Sequence, residues 1–174
     1  TTDTRTKRRG AYLQDRIGIT DALLLVGGVR YDRFDDAVTT STAGRLIAAP
    51  SFRDGRFTFR GGAIVKPRTG LSLYASWSGS FEPQSPASQD INAGGPFAPV
   101  TGNQVEGGIK SVLLGGRLQA NAAVYRIVRR NILQVDPTLP PRDGIDQLRP
   151  IGEVTSKGVE VDVAADITPD WVLL

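Results

Sequence analysis

Two carboxylates, Glu160 and Asp162, stand two residues apart in "VEVDV". In an extended chain such residues share a face about 7 Å apart. That separation suits a carboxylate pair flanking a water in inverting glycoside hydrolysis. It suits an acidic wall equally well, and no other residue pattern marks a sugar cleft. The chain has no histidine and no cysteine. Ser-His-Asp catalysis, histidine or thiolate zinc sites and disulfides are thereby excluded. The glycine pairs Gly27 and Gly28, Gly61 and Gly62, and Gly107 and Gly108 lack the Lys-Ser/Thr that completes a phosphate loop. They fall inside strand-like segments, where close packing or curvature explains them. No residue is assigned a catalytic or metal-binding role, and the chain is not expected to be an enzyme.

The elements that would position these side chains are strands. In "LSLYASWSGSF", Leu71, Leu73, Ala75, Trp77, Gly79 and Phe81 alternate with Ser72, Tyr74, Ser76, Ser78 and Ser80. A period of two sorts a strand into an apolar and a polar face. The pattern recurs over Ala11–Ile19, Leu23–Asp32, Phe57–Val65, Val105–Ser111, Arg117–Arg130 and Glu153–Ile167, and Trp171 starts another strand. Short turns fall at Thr20–Ala22, Lys66–Gly70, Leu113–Gly116 and Thr168–Asp170. Long polar loops are expected at Arg33–Arg56, Glu82–Asn103 and Gln134–Ile151. The opening "TTDTRTKRRG" reads as a loop whose Lys7, Arg8 and Arg9 either meet anionic headgroups or phosphates or simply face water.

Short and long connections alternate, which places every long loop at one end of an antiparallel meander of about eight strands. No run approaches the ~18–20 apolar residues of a membrane helix. Several strands reach the ~9–11 residues that cross a bilayer at a tilt, and short turns opposite long loops are the pattern of outer-membrane barrels. The net charge of +3 is small and dispersed, so no nucleic-acid partner is expected. No initiator methionine or signal peptide opens the chain, and "WVLL" ends inside a strand pattern. A fragment is therefore expected.

The apolar faces should meet lipid, because slipping "FTFRGGAIV" by one residue would turn Arg60 outward at ~2–4 kcal/mol near the midplane. The other faces carry Arg30, Asp32, Arg60, Glu106, Lys110, Gln119, Asn121, Glu160 and Asp162 and are expected to look into the lumen. Both charge signs occur there, which fits a wall that hydrogen-bonds a plug better than an ion-selective ring. Arg126 breaks the apolar face late in its strand, where the cost of a charge falls. Trp77, Phe81, Tyr31 and Phe57 lie toward the long-loop ends, as an interfacial girdle would.

Four segments, "GAYLQDRIGITDALLLVGGVRYDRFD", "LSLYASWSGSFEPQSP", "GNQVEGGIKSVLLGGRLQANAAVYRIVRRNILQVDP" and "TSKGVEVDVAADITPDWVLL", resemble, in order, the barrel of TonB-dependent siderophore receptors. The resemblance implies an all-β piece of a transmembrane barrel of about 22 strands with a plugged lumen. It also implies a bacterial outer-membrane location and uptake of ferric siderophores as cargo, with no resident cofactor. The implied partners are the siderophore, the TonB-ExbB-ExbD complex through a plug region this chain lacks, and outer-membrane lipid and lipopolysaccharide. Candidate ligand contacts are Arg33, Phe34, Phe81, Gln84, Phe97 and Arg142, loop or loop-base residues of aromatic, cationic or amide character that suit an iron-chelate anion. A self-closed eight-stranded barrel, a TonB-dependent receptor for another substrate, an outer-membrane hydrolase and a soluble β binding module are the other readings.

Overall fold

Alternation sorts the side chains, and pairing with antiparallel neighbours satisfies the backbone. The computed structural model describes the backbone of residues 2–42, 45–48, 52–168 and 170–173, and the side chains of residues 5–37, 53–168 and 170–173. Among them it forms one nine-stranded sheet. The strands are β1 (Thr2–Gly18), β2 (Leu23–Thr42), β3 (Arg45–Ala48), β4 (Phe52–Arg68), β5 (Leu71–Glu82), β6 (Val100–Leu113), β7 (Leu118–Val135), β8 (Leu148–Thr168) and β9 (Trp171–Leu173). They lie in chain order, with β3 and β4 returning together along β2, so the expected meander is present. Among the described residues the sheet is open, since β1 pairs only with β2 and β9 only with β8. It is not a self-closed barrel.

The strands outrun the alternating segments at their long-loop ends. The basic opening expected as a loop is strand from Thr2 onward, paired with β2 as far as Thr40. The loop expected over Arg33–Arg56 is largely a hairpin of β2 with β3 and β4. Residues 43, 44 and 49–51 of that loop, and residue 169 of the last turn, lie outside the described residues. Likewise β8 begins at Leu148 rather than Glu153.

Cross-strand partners share a face, so the register can be read as rows across the sheet. One row on the apolar face runs Asp15, Gly27, Gly61, Trp77, Val105, Arg126, Lys157. Two residues toward the turns beyond Leu25 and Val159, another row runs Leu23, Val65, Leu73, Ile109, Ala122, Val161. The first hairpin turns at that second row, whereas β6 continues four residues past it to Leu113 and β8 seven residues past it to Thr168. Each short turn is thus displaced along the strand direction, further past the row than the one before. This is the shear that accompanies tilted strands in a barrel.

The apolar residues are displaced in the same sense. On β2 they run Leu23, Leu25, Gly27, Val29, Tyr31 before Arg33; on β8 they run Ile167, Ala165, Val163, Val161, Val159 before Lys157. Arg33 lies six residues beyond Gly27, the residue sharing a row with Lys157. Those six residues span about 20 Å, and the five strand spacings from β2 to β8 span about 24 Å. A band displaced in that ratio is level when the strands tilt by about 40°, within the ~35–45° range of transmembrane barrels. At that tilt the five apolar positions of each strand give about 21 Å of height, close to the ~25 Å apolar belt of such barrels. The belt is exposed: Val159 shows 71%, Val161 67% and Phe57 58% of its surface.

Candidate functional site

The face opposite the belt carries the polar chemistry. All nine residues expected to face the lumen fall on it. Arg60, Ser78 and Gln104 form one row, Ser76, Glu106 and Tyr125 the next, Tyr74, Ala123 and Glu160 the next, and Ser72, Lys110, Asn121 and Asp162 the fourth. Gln119 follows two residues beyond Asn121, and Arg30 and Asp32 continue the face on β2.

The contacts on this face are polar and local. Tyr74 Oη donates to Glu106 Oε1 at 2.7 Å, and Gln104 Nε2 donates to Glu106 Oε2 at 3.0 Å. The Lys110 ammonium stands 5.2 Å from the Tyr74 ring centroid. Asn121 Nδ2 donates to Asp162 Oδ2 at 3.2 Å, while the enclosed Asn121 Oδ1 has no hydrogen-bond partner among the described residues. Arg30 grips Asp32 through two bonds, of 2.5 and 2.6 Å. Glycines let the long side chains lie flat. A Cβ at Gly108 would stand 2.6 Å from Tyr74 Cε1, and one at Gly158 would stand 2.7 Å from Tyr125 Oη. On the apolar face the partner glycine Gly27 meets nothing within 4 Å. The pairs therefore shape the wall rather than bind phosphate. Asp162 is held by Asn121, and Glu160 lies exposed one row away.

Toward the long loops, β4 and β5 part beyond the Arg60–Ser78 pair. The gap opens into a hollow of about 480 Å³ bordered by Arg8, Arg30, Asp32, Phe34, Ser80 and Phe81. Phe34 is almost fully enclosed, and the Phe81 ring turns toward it at 6.1 Å between centroids. Phe81 is therefore not part of the aromatic girdle expected on the apolar face. That girdle holds Tyr31, 4.7 Å from Phe57, which is 6.5 Å from Phe59, while Trp77 lies lower on its own strand.

The candidate ligand residues separate on inspection. Phe34 and Phe81 meet in the hollow. Arg33 borders it, but its register with Arg9 and Gly55 follows that of Tyr31 with Ala11 and Phe57, the opposite face from Phe34. Gln84 is a brace: its Nε2 donates to Ala98 O at 3.1 Å and to Asn131 O at 2.6 Å. Asn131, at φ 62°, is skipped by the β7–β8 pairing between Arg130 and Ile132 without a change of register, and its Nδ2 donates to Pro99 O at 3.0 Å. Phe97 is half-buried in the same loop, its backbone clasped by both ends of the Gln89 amide. Arg142 lies exposed in a different loop, with its backbone paired to Ile145. Arg8 was missed as a hollow-lining residue because its segment reads as polar and unpatterned.

The hollow can offer guanidinium and aromatic groups to a ligand, and the wall below offers donors and acceptors of both signs. The family profile described as "TonB dependent receptor-like, beta-barrel" matches residues 1–174. The "Ferrichrome outer membrane transporter/phage receptor" of Escherichia coli (strain K12) is 33% identical over 162 residues, 93% of this chain and 20% of that protein. The "Ferrioxamine B receptor" of Salmonella typhimurium (strain SL1344) is 34% identical over 164 residues, 93% of this chain and 21% of that protein. The pyoverdine outer membrane receptor of Pseudomonas aeruginosa PAO1 superposes with a TM-score of 0.80 at 26% identity, covering 98% of this chain and 24% of that one. The chain spans about a fifth of the length of these two curated relatives. Sheared antiparallel hairpins, an oblique apolar belt and this match over its whole length make the chain a member of the TonB-dependent receptors, a section of their outer-membrane β-barrel.

Proposed function

We propose that the protein of which this wall is part takes up ferric siderophores across the outer membrane, powered through the TonB-ExbB-ExbD complex. The observation that carries this reading is the naming of its relatives. Proteins matched over 93–95% of the chain are receptors for ferrichrome, ferric pyoverdine and ferrioxamine B. The chelate is cargo, held by hydrogen bonds and ring contacts and released unchanged, so the wall performs no bond chemistry. The hollow at Phe34 and Phe81, with Arg8 and Arg30 at its border, suits the first capture of an iron chelate. Below it, the wall of Arg60, Glu106, Lys110, Gln119, Asn121, Glu160 and Asp162 would hydrogen-bond a plug. The exposed amide groups and charged groups of both signs support this, because such groups can donate to and accept from a plug. The apolar belt would meet lipid, with lipopolysaccharide on the long-loop side.

A second reading keeps the mechanism and changes the metal. The "Metal-pseudopaline receptor CntO" of Pseudomonas aeruginosa is 31% identical over 165 residues and 93% of this chain. Deleting the whole gene and growing the iron-starved strain on single ferric siderophores separates the two. Loss of growth on one siderophore, restored by the gene, is expected. Undiminished growth on every siderophore, with reduced uptake of a different chelated metal, would transfer the function to the second reading.

A further inference from the structure

On the face opposite the apolar belt, the hollow at Phe34 and Phe81 continues down the wall. Through Arg30, Thr58 and Gly79 it meets a second hollow of about 440 Å³, bordered by Tyr12, Gln14 and Arg60. Through Gln14, Arg60 and Ser78 that one meets a third, of about 590 Å³, bordered by Arg16, Leu24, Ile64, Lys66, Tyr74 and Lys110. The three form one furrow along β1, β2, β4 and β5. From Phe34 to Leu24 it follows ten residues of β2, about 33 Å of strand, and so passes behind the belt residues Leu25 to Tyr31.

Cations line this furrow in sequence. Arg8 stands opposite Phe34 at the top, and Arg30 lies four residues below Phe34 on β2. Arg60 follows in the next row of this face, and Arg16 in the row after that. Lys66 ends the series four residues beyond Gly62, which shares the row of Arg16 and Val26. All five are exposed. The one carboxylate bordering the furrow is Asp32, and Arg30 already holds it through two hydrogen bonds. Among the described residues no carboxylate lies within ion-pair distance of Arg8, Arg16, Arg60 or Lys66. Below the rim, the acids of this face stand to the other side, Glu106 on β6 and Glu160 and Asp162 on β8. An anion in the lumen is therefore drawn toward β1–β5 and repelled from β8.

We propose that this furrow is the path of an anionic ferric chelate once the plug moves aside, passed from Arg8 and Arg30 to Arg60, Arg16 and Lys66. Rows of arginine and lysine are how a pore favours anions. An acidic plug face would need cations only where it rests. A series that starts at the capture hollow and continues to the short turns is what a moving anion requires. The inference rests on the transport reading and adds to it the side of the lumen that the cargo takes and the sign of its charge.

The test uses the full-length receptor in planar bilayers, with urea on the short-turn side to unfold the plug. A tripodal ferric tris-catecholate, a trianion, is added on the long-loop side and should block the ion current. Arg16→Gln/Arg60→Gln is expected to require about 25-fold more of it, since each contact between unit charges in water is worth roughly fivefold. Arg16→Lys/Arg60→Lys should be blocked like the parent. So should Arg126→Gln/Lys157→Gln, which removes two cations from the outer face. Parent-like block of the glutamine pair overturns the proposal. So does an equal weakening of block by ferrichrome, a neutral chelate, which would mark lost shape rather than lost charge. If the glutamine pair fails to fold, Arg16→Gln and Arg60→Gln are measured singly, each with about a fivefold loss expected. In energised cells the glutamine pair should also slow uptake of the radioiron tris-catecholate without weakening its binding to de-energised cells; weakened binding with unchanged passage would place these arginines in capture and overturn the path. Charge-dependent block beside no uptake of any ferric siderophore would sink the transport reading and leave the anion path standing.

Discussion

Placing an arginine at Leu25 and, separately, at Val159 distinguishes a tilted membrane wall from a sheet in water. The two residues share a row, Leu25 with Ala63 and Ala75, then Gly107, Val124 and Val159. They are 39% and 71% exposed. In water both substitutions would be surface changes, within ~0.5 kcal/mol of neutral. Across five strand spacings, a tilt of about 40° separates the two positions by about 15 Å of height. Leu25 then sits near the midplane and Val159 near the long-loop edge of the belt. Leu25→Arg is expected to cost about 2–4 kcal/mol and Val159→Arg about 0–1 kcal/mol. Urea unfolding of the full-length receptor in phospholipid vesicles, followed by tryptophan fluorescence, measures both. Equal costs for the two variants, or a greater cost at Val159, would refute the tilt and the lipid-facing assignment together.

Three further outcomes follow from individual contacts. Gln84→Ala removes the donor shared by Ala98 O and Asn131 O. It should speed amide exchange through residues 85–99 and at Leu148, whose N–H donates to Ala93 O; unchanged exchange would show that the brace is idle. Gly108→Val puts a side chain where a Cβ already stands 2.6 Å from Tyr74 Cε1 and 2.7 Å from Ala122 O. A loss of roughly 1–3 kcal/mol is expected on denaturation, relieved only in part by Tyr74→Ala in the same chain, since the Ala122 carbonyl remains in the way; full relief would show that the ring alone is the obstacle. Asp136 accepts from Thr138 Oγ1 at 2.6 Å and Thr138 N at 3.0 Å, which holds its carboxyl below the ordinary aspartate range. Because the folded value is depressed, this contact stabilises the turn above pH ~4 and is lost as pH falls through the folded value. Thr138→Val should move the Asp136 titration upward in solid-state NMR; an unmoved titration would remove Thr138 as the cause.

Where both faces of a strand meet different media, the sequence was sufficient. Residues 71–81 alternate because one side is apolar and the other polar, and the register places them as that pattern requires. Past the belt this contrast disappears. Residues 5–9 are polar or charged at every position, so they carry no alternation, yet the backbones of residues 2–9 and 33–42 continue the ladder. That is why they read as loops. The same blindness affected the site. Arg33 and Phe34 looked like one ligand-binding patch, but neighbours on a strand point to opposite faces, and Arg33 goes with the girdle. The approach of Phe81 to Phe34 depends on β4 and β5 parting beyond Ser78, and the Gln84 brace depends on the carbonyl of Asn131, a residue at positive φ on β7. Neither long-range event leaves a local signal. By contrast, Glu106, Lys110, Asn121 and Asp162 fell together on one face because alternation alone decides that.

The tilt of the wall is open to direct measurement. Gly27 and Lys157 lie in one hydrogen-bonded row, and a side chain added at Gly27 meets no atom within 4 Å. Spin labels on single cysteines at these positions, in the full-length receptor freed of other cysteines and placed in a bilayer, report depth through their relative access to oxygen and to a polar nickel chelate. The label at Gly27 should lie about 15 Å deeper than the label at Lys157, from five strand spacings at a tilt of about 40°. Equal depths would contradict a tilted barrel wall, and equal, high access of both labels to the nickel chelate would contradict a membrane wall of any kind.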